Sequence, residues 1–519
     1  MRLSTKHANT QNVIYQDFTG GLNTTNAAET IDITELSTCV NLELNGNQLM
    51  TVSGTKAVTI TGTDSGDIES MHLRFTSFFY DRINDKLVVC ANAYDNNDVQ
   101  TGKKIYVVNT DGSGFKALGP LTGTIMPSFA QWEDGVLIAS GGKMQYYNGT
   151  AVVTLTESPE HCNGVFTKNG RVITYFGDEV HYSKIGDETS WAEDSNDDSS
   201  AKWLQIGYKD GGHIVSAVNL SQDLLIFKSN DTAYHVSGQY PDWTVREISR
   251  NVDCKGWRSS VALTNAAIVL GKSMVQAVTT TDDYGEMRAT NISTKIEKDI
   301  LKLPDNVKMR YVAPKNQVWF ITGEKKFLFF DVSHQSYYHR AYNTPAVDVC
   351  YKGDKIFVLK SDAICFLDND PAMRDAGNQL QWTFTGKTLV ANNDYLIKRV
   401  KADITPYFQT YTDIRLYVGH VVLSELMPKE ASQIYHDYSF IYHSRRPIKG
   451  KSIGVIYVNA VEVYDNDEEI YQSETPLKSI PYVRQDRRQV VRHKVVRVYG
   501  KGRGGRFVLN NLNFDIVEV

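Results

Sequence analysis

Seven times between Asp85 and Ser361 the chain repeats one phrase: a polar turn, a short apolar run, a second turn, and another run. The copies are DKLVVCAN (85–92), DGVLIASG (134–141), NGRVITYFG (169–177), QDLLIFKS (222–229), NAAIVLGK (265–272), NQVWFITG (316–323) and DKIFVLKS (354–361). Apolar, β-branched runs of this length between Asn, Asp and Gly turns are strand signals. The copies start 35–53 residues apart, the spacing of four-stranded propeller blades. Consecutive runs pair as hairpins, DKLVVCAN with KKIYVVNTDG and DGVLIAS with GKMQYYNGT. The expected fold is all-β, with a β-propeller of about seven blades over 68–385. A propeller alone specifies no chemistry, so function is sought in what flanks it.

The flanks do not repeat. Residues 1–67 contain QDFTGGLNTTNAAETIDITELSTCVNLEL and a hairpin turn at Asn45-Gly46. After Trp382 the strands lengthen, and 386–519 reads as a separate β-rich domain with which the N-terminal segment is expected to pack. Its end, VVRHKVVRVYGKGRGGRFVLNNLNFDIVEV, reads as two strands joined by a mobile basic turn. Two polar segments, 187–200 and 368–379, are expected as an exposed insertion and as a link between strands of the last blade.

With 519 residues, 41% of them hydrophobic, the chain has material for two or three cores. Its six cysteines are scattered without a CxxC, which argues against a disulfide framework; Cys90 and Cys365 fall in strand runs and are expected in the core. The first residues lack the apolar stretch of a secretory leader, and no run is long enough to span a bilayer. The expectation is a soluble protein made in a reducing cytoplasm, without membrane insertion by this chain.

Catalytic signals are thin. Thr281, Asp283 and Gly285 match a sialidase-type Asp box, but that motif is a structural turn and its usual Trp is missing. His436 and His443 are spaced seven apart, which fits no common zinc pattern. His161-Cys162 lacks a partner for nucleophilic chemistry. GKGRGGR (500–506) lacks the GK[ST] ending of a phosphate loop. Neither a catalytic residue, a cofactor nor a metal is expected.

Charge is more informative. Residues 387–519 hold 20 Lys and Arg against 15 Asp and Glu, whereas the whole chain carries −5. The densest stretch contains Arg484, Arg487, Arg488, Arg492, Lys494, Arg497, Lys501, Arg503 and Arg506 against a single acid, Asp486. Val491, Lys494-Val495-Val496 and Val498 interleave with Arg492, Arg497 and Tyr499, which predicts a strand that buries one face and shows charge on the other. Two readings stand: a solvated face with charges paired to neighbours, or a contact with phosphates or an acidic partner surface.

The segment with Gly20, Gly21, Leu22 and Asn23, followed by a polar stretch and then Asn41 and Leu44, resembles the opening of tail hub or nozzle proteins of short-tailed bacteriophages, the tail tubular protein B or packaged-DNA stabilization type. Where those often continue with an arginine and a proline, this chain has NGNQLMTVSG. The resemblance implies a structural virion protein that is not an enzyme. It implies a homo-oligomeric ring, commonly a hexamer, below the portal and adaptor and beside other tail proteins or fibres. The ring would conduct and help retain or gate viral double-stranded DNA, touching it transiently, after assembly in the host cytoplasm. The alternative is a carbohydrate-active or ligand-binding propeller.

Overall fold

The computed structural model describes residues 10–220, 223–280, 287–370, 373–390, 392–407, 414–419, 421–424, 433–436, 439–442, 456–458, 461–464, 480–485 and 494–518. The chain divides into two compact units. One comprises 57–327 and 345–366; the other gathers 1–56, 328–344 and 367–519.

The first unit is a seven-bladed β-propeller, to which the sixth blade contributes Lys308–Val312 and Gln317–Ile321 within these bounds. Its first blade is Arg74–Asp81, Lys86–Tyr94, Gln100–Asn109 and Lys116–Pro120, in antiparallel order. Four more four-stranded sheets follow, with innermost strands Ser128–Trp132, Val165–Lys168, Ile214–Leu220 and Ser260–Ala262. The sixth and seventh blades begin with Lys308–Val312 and Ala346–Lys352. The ring closes where the seventh meets the first: Phe75 N–H donates to Ser361 O at 2.8 Å, and Val58 N–H to Ile364 O at 2.8 Å.

Each copy of the repeated phrase is the second strand of its blade, from Lys86–Tyr94 in the first to Lys355–Lys360 in the seventh. Such strands are continuously apolar because both faces of a blade are covered, so successive side chains serve different neighbours. In the first blade Leu87, Val89 and Ala91 pack with Phe357 and Leu359 of the seventh. The alternate residues Val88 and Cys90 pack with Val136 and Ile138 of the second. The pattern recurs as Ile173 and Tyr175 meet Leu224 and Ile226, while Leu225 and Phe227 meet Ala267 and Val269. Cys90 and Cys365 are buried, and all six cysteines are free thiols.

The second unit holds two larger sheets. In one, Phe507–Glu518 lies between Gln48–Thr51 and Tyr395–Pro406 and also pairs with Thr10–Tyr15. In the other the order is Ser336–Ala341, Glu35–Val40, Gln381–Gly386, Val498–Arg503, Arg415–Val418 and Val421–Ser424. Trp382, packed edge-on against Phe507 at 4.9 Å, and Tyr15, stacked on Phe514 at 6.3 Å, help fill the core.

Some expected details change. Residues 367–385 belong to this second unit rather than to the propeller, because Gln381–Gly386 pairs with Glu35–Val40 and Val498–Arg503. Within 368–379, Asp375 is fully buried and accepts from the backbone N–H groups of Asn343, at 2.6 Å, and Thr344, at 3.2 Å. The insertion at 187–200 joins the last two strands of the third blade and is tied down. Arg171 donates to Ser183 O, Ser200 O and Asp198 O at 2.6–2.7 Å, and Trp191 Nε1 to Glu188 O at 2.7 Å.

Candidate functional site

Three places in the fold concentrate polar side chains. The first is the turn that carries the resemblance. Gly21 N–H donates to Phe18 O at 3.2 Å, closing a turn through Gly20. Gly21 has φ +65°, and a Cβ there would fall 2.5 Å from Ser336 Cβ, so both backbone and space demand glycine. Leu22 is buried in the short strand Gly21–Leu22, which runs parallel to Glu35–Val40. Asn23, also buried, donates through Nδ2 to Glu35 Oε2 at 2.8 Å and accepts Asn26 N–H at 3.1 Å. Asn41 sits in the left-handed region at φ 58°, where its short polar side chain is tolerated. Its Nδ2 donates to Ala341 O at 2.9 Å and Gln381 O at 2.7 Å, while Oδ1 accepts Ala341 N–H at 2.7 Å. Beside it Arg340, fully buried, meets Glu43 at 2.9 Å. This segment thus pins three separate stretches of chain into one unit.

The second place is the basic strand Val498–Arg503. Val498 and Gly500 point into the core, while Tyr499, Lys501 and Arg503 point outward with Arg497 just before them. Its neighbour brings Arg415 opposite Lys501 and Tyr417 opposite Tyr499. The two tyrosine rings stack at 4.3 Å with 5° between planes, and Lys501 Nζ lies 5.6 Å from the Tyr417 ring centre. Among the described residues no carboxylate forms an ion pair with Lys494, Arg497, Lys501 or Arg503, and all four are exposed.

The glycine-rich end of this strand differs from the mobile turn expected. Gly504 N–H donates to Leu380 O at 2.8 Å, and Arg506 is buried, its guanidinium 4.3 Å above the Tyr407 ring. Arg506 therefore braces the interior and is removed from the exposed basic set. Arg487, Arg488 and Arg492 lie outside the described residues; Arg484 lies in the strand Ile480–Gln485, where only the backbone is described. Thr281, Asp283, Gly285 and His443 also fall outside, as does the side chain of His436.

The third place, the propeller axis, had no sequence candidate. Arg258 donates to Trp257 O, Met126 O, Pro127 O and Asn163 O at 2.7–3.3 Å. It thereby links the fifth blade to the entries of the second and third across the centre. Lys308 gives its three protons to Thr76 O, Ser77 Oγ and Val347 O at 2.8–3.0 Å and lies 3.0 Å from Asp348. Arg310 reaches the same carboxylate through Nε at 2.9 Å and Nη2 at 3.2 Å, and Phe78 N–H donates to it at 3.2 Å. Burial pushes Lys308 down to about 8 even though Asp348 opposes the shift. Burial alone would raise Asp348, but Arg310 and then Lys308 outweigh it and hold it below the usual carboxylate range. The carboxylate at the axis is thus engaged with two cations. The available signal was the isolated charge in apolar runs such as AVDVCYK.

Among the described residues no group of His, Cys, Asp or Glu is placed to hold a metal ion, and no helix is long and apolar enough to cross a membrane. No family model and no curated protein matches the chain. Among solved structures it is similar to the computationally designed Ika8 protein, with 12% identity, TM-score 0.32, and 68% of this chain aligned to 99% of that one. It is similar to BamB from Moraxella catarrhalis, with 9% identity, TM-score 0.36, and coverages of 68% and 97%. It is also similar to the β-propeller domain of Cps50 (Swd1) from Myceliophteria thermophila, with 9% identity, TM-score 0.40, and coverages of 56% and 96%. By its own succession of four-stranded antiparallel sheets, the chain is an all-β protein built around a β-propeller.

Proposed function

We propose that the protein is a structural virion component of a short phage tail, the nozzle or hub, whose copies form a closed ring that conducts and helps retain the packaged DNA. The observation that carries this reading is the use made of Gly21, Asn23 and Asn41. The residues behind the resemblance are the ones that knit the non-repeating unit from distant stretches of chain. A segment with that architectural role is constrained by folding, since altering Gly21, Asn23 or Asn41 disturbs the whole unit.

The exposed basic strand suits the same reading. A ring needs a heterologous, self-closing contact, and charged faces set register and partner choice more than affinity. A tight phosphate grip would stall a moving genome, so Arg497, Lys501 and Arg503 are assigned first to an acidic neighbouring surface and second to passing DNA. Mass measurement and particle images test the proposal: a closed ring, expected as a hexamer, is the supporting result. A protein that stays monomeric alone and with adaptor or portal rings overturns it.

A further inference from the structure

A second surface, on the propeller, asks for a partner of the opposite charge. Between the second and third blades lies a hollow of about 340 Å³. One wall is a stack of rings drawn from three consecutive strands of the third blade. Phe176 lies 4.9 Å from His181 with 15° between planes, and His181 lies 6.4 Å from Trp203 with 20° between planes. Strand register holds the stack, since His181 is directly opposite Trp203. Trp203 ends it and is 48% exposed, a large ring left open to solvent on an outer strand.

The rim is acidic. Glu157, Glu160 and Glu193 line the hollow. Of the cations nearby, Lys143 pairs with Glu160 at 3.1 Å, while Lys202 holds its ammonium on Asp194 O at 2.7 Å and 4.5 Å from the Tyr240 ring, a single charge against three carboxylates. Among the described residues no ion pair takes up Glu157 or Glu193. Besides Glu193, the stretch 187–200 adds five acids and no base, and its anchoring by Arg171 fixes that wall in place.

We infer that this hollow is a docking site for an arginine side chain presented by a partner protein segment. A guanidinium is flat and weakly hydrated, so it stacks on an aromatic face while its edge donates to carboxylates. Open aromatic surface beneath unneutralised carboxylates matches that chemistry on both counts. A neutral saccharide would use the rings but not the excess negative charge, and an anionic glycan would be repelled. The site does not depend on the ring proposal, because any partner segment that presents an arginine can occupy it.

The test is tryptophan fluorescence titration of the full chain with hexa-arginine, with hexalysine and maltohexaose as comparators. Hexa-arginine should bind most tightly and weaken with salt. Trp203→Ala leaves every charge in place and should weaken hexa-arginine binding roughly 2- to 5-fold, the scale of an exposed cation–π contact. Binding of the variant is read from fluorescence anisotropy of a labelled peptide. The Glu157→Gln/Glu193→Gln variant keeps the rings and should weaken binding further and flatten the salt dependence. Equal affinity of Trp203→Ala and the parent would show diffuse attraction to an acidic surface and overturn the site. Tighter binding of maltohexaose than of hexa-arginine would overturn it in favour of a sugar site.

Discussion

Replacing Asp348 by Asn is the sharpest probe of the propeller, because it changes charge without changing shape. Asp348 is fully buried, and Lys308 is 2% exposed. The amide leaves Lys308 and Arg310 facing each other without a counter-charge. Removing one partner of a buried ion pair costs about 3–5 kcal/mol, and that is the expected loss at pH 7. The folded protein has one escape, deprotonation of Lys308, whose pKa is already about 8. The cost of Asp348→Asn should therefore shrink at pH 9, where the ammonium is lost more easily.

The same group sets a sign for the parent. Below pH 8 Lys308 is protonated whether folded or unfolded. Between about 8 and its unfolded value near 10.4 the unfolded chain binds more protons, so stability rises with pH relative to Lys308→Met. Removing both partners, in Lys308→Met/Asp348→Asn, should be less damaging than Asp348→Asn alone, with a coupling of about 1–3 kcal/mol. Urea unfolding followed by tryptophan emission reads the right unit, since Trp132, Trp191, Trp203, Trp243, Trp257 and Trp319 lie in the propeller and only Trp382 in the other unit. A loss under about 1 kcal/mol at pH 7, or one identical at pH 7 and 9, would refute the picture of a dry, mutually dependent cluster.

The remaining predictions concern the second unit. Gly21→Ala and Gly46→Ala impose the same backbone strain, at φ +65° and +63°, but only Gly21 has a neighbour within reach of a Cβ. Gly46→Ala should cost about 1 kcal/mol and Gly21→Ala at least 1 kcal/mol more, measured by thermal unfolding; equal losses would mean the Ser336 contact yields freely. Arg497→Glu/Arg503→Glu should dissociate the proposed ring in mass measurements at physiological salt while shifting folding stability by no more than about 0.5 kcal/mol; intact rings would remove this strand from the interface.

The blades were legible in the sequence because each central strand is buried on two faces, so its apolar run is uninterrupted between turn residues. The basic strand was legible for a related reason, since Val498 and Tyr499 alternate between core and solvent. What escaped were features made by register and long-range pairing. Nothing local reveals that Arg258 reaches Met126 and Asn163, or that Gln381–Gly386 leaves the propeller to join Glu35–Val40. Arg506 looked like its exposed neighbours because charge does not announce burial; the Tyr407 ring that covers it lies in another stretch of chain. Phe176, His181 and Trp203 likewise meet only after three strands have paired.

The pairing of Thr10–Tyr15 with Phe507–Glu518 has a consequence for synthesis. Asn12 donates to Asp515 at 2.7 Å across 503 residues of chain. A ribosome adding roughly 5–20 residues per second needs on the order of 25–100 s to cover that distance. For that interval Thr10–Tyr15 exists without its partner strand, while propeller blades emerge and can close behind it. Gln48–Thr51 and Tyr395–Pro406 await the same strand, so the second unit matures last and nearly at once. A nascent chain halted before Phe507 would carry a finished propeller beside an open-edged sheet, and translation itself would decide when the second unit can close.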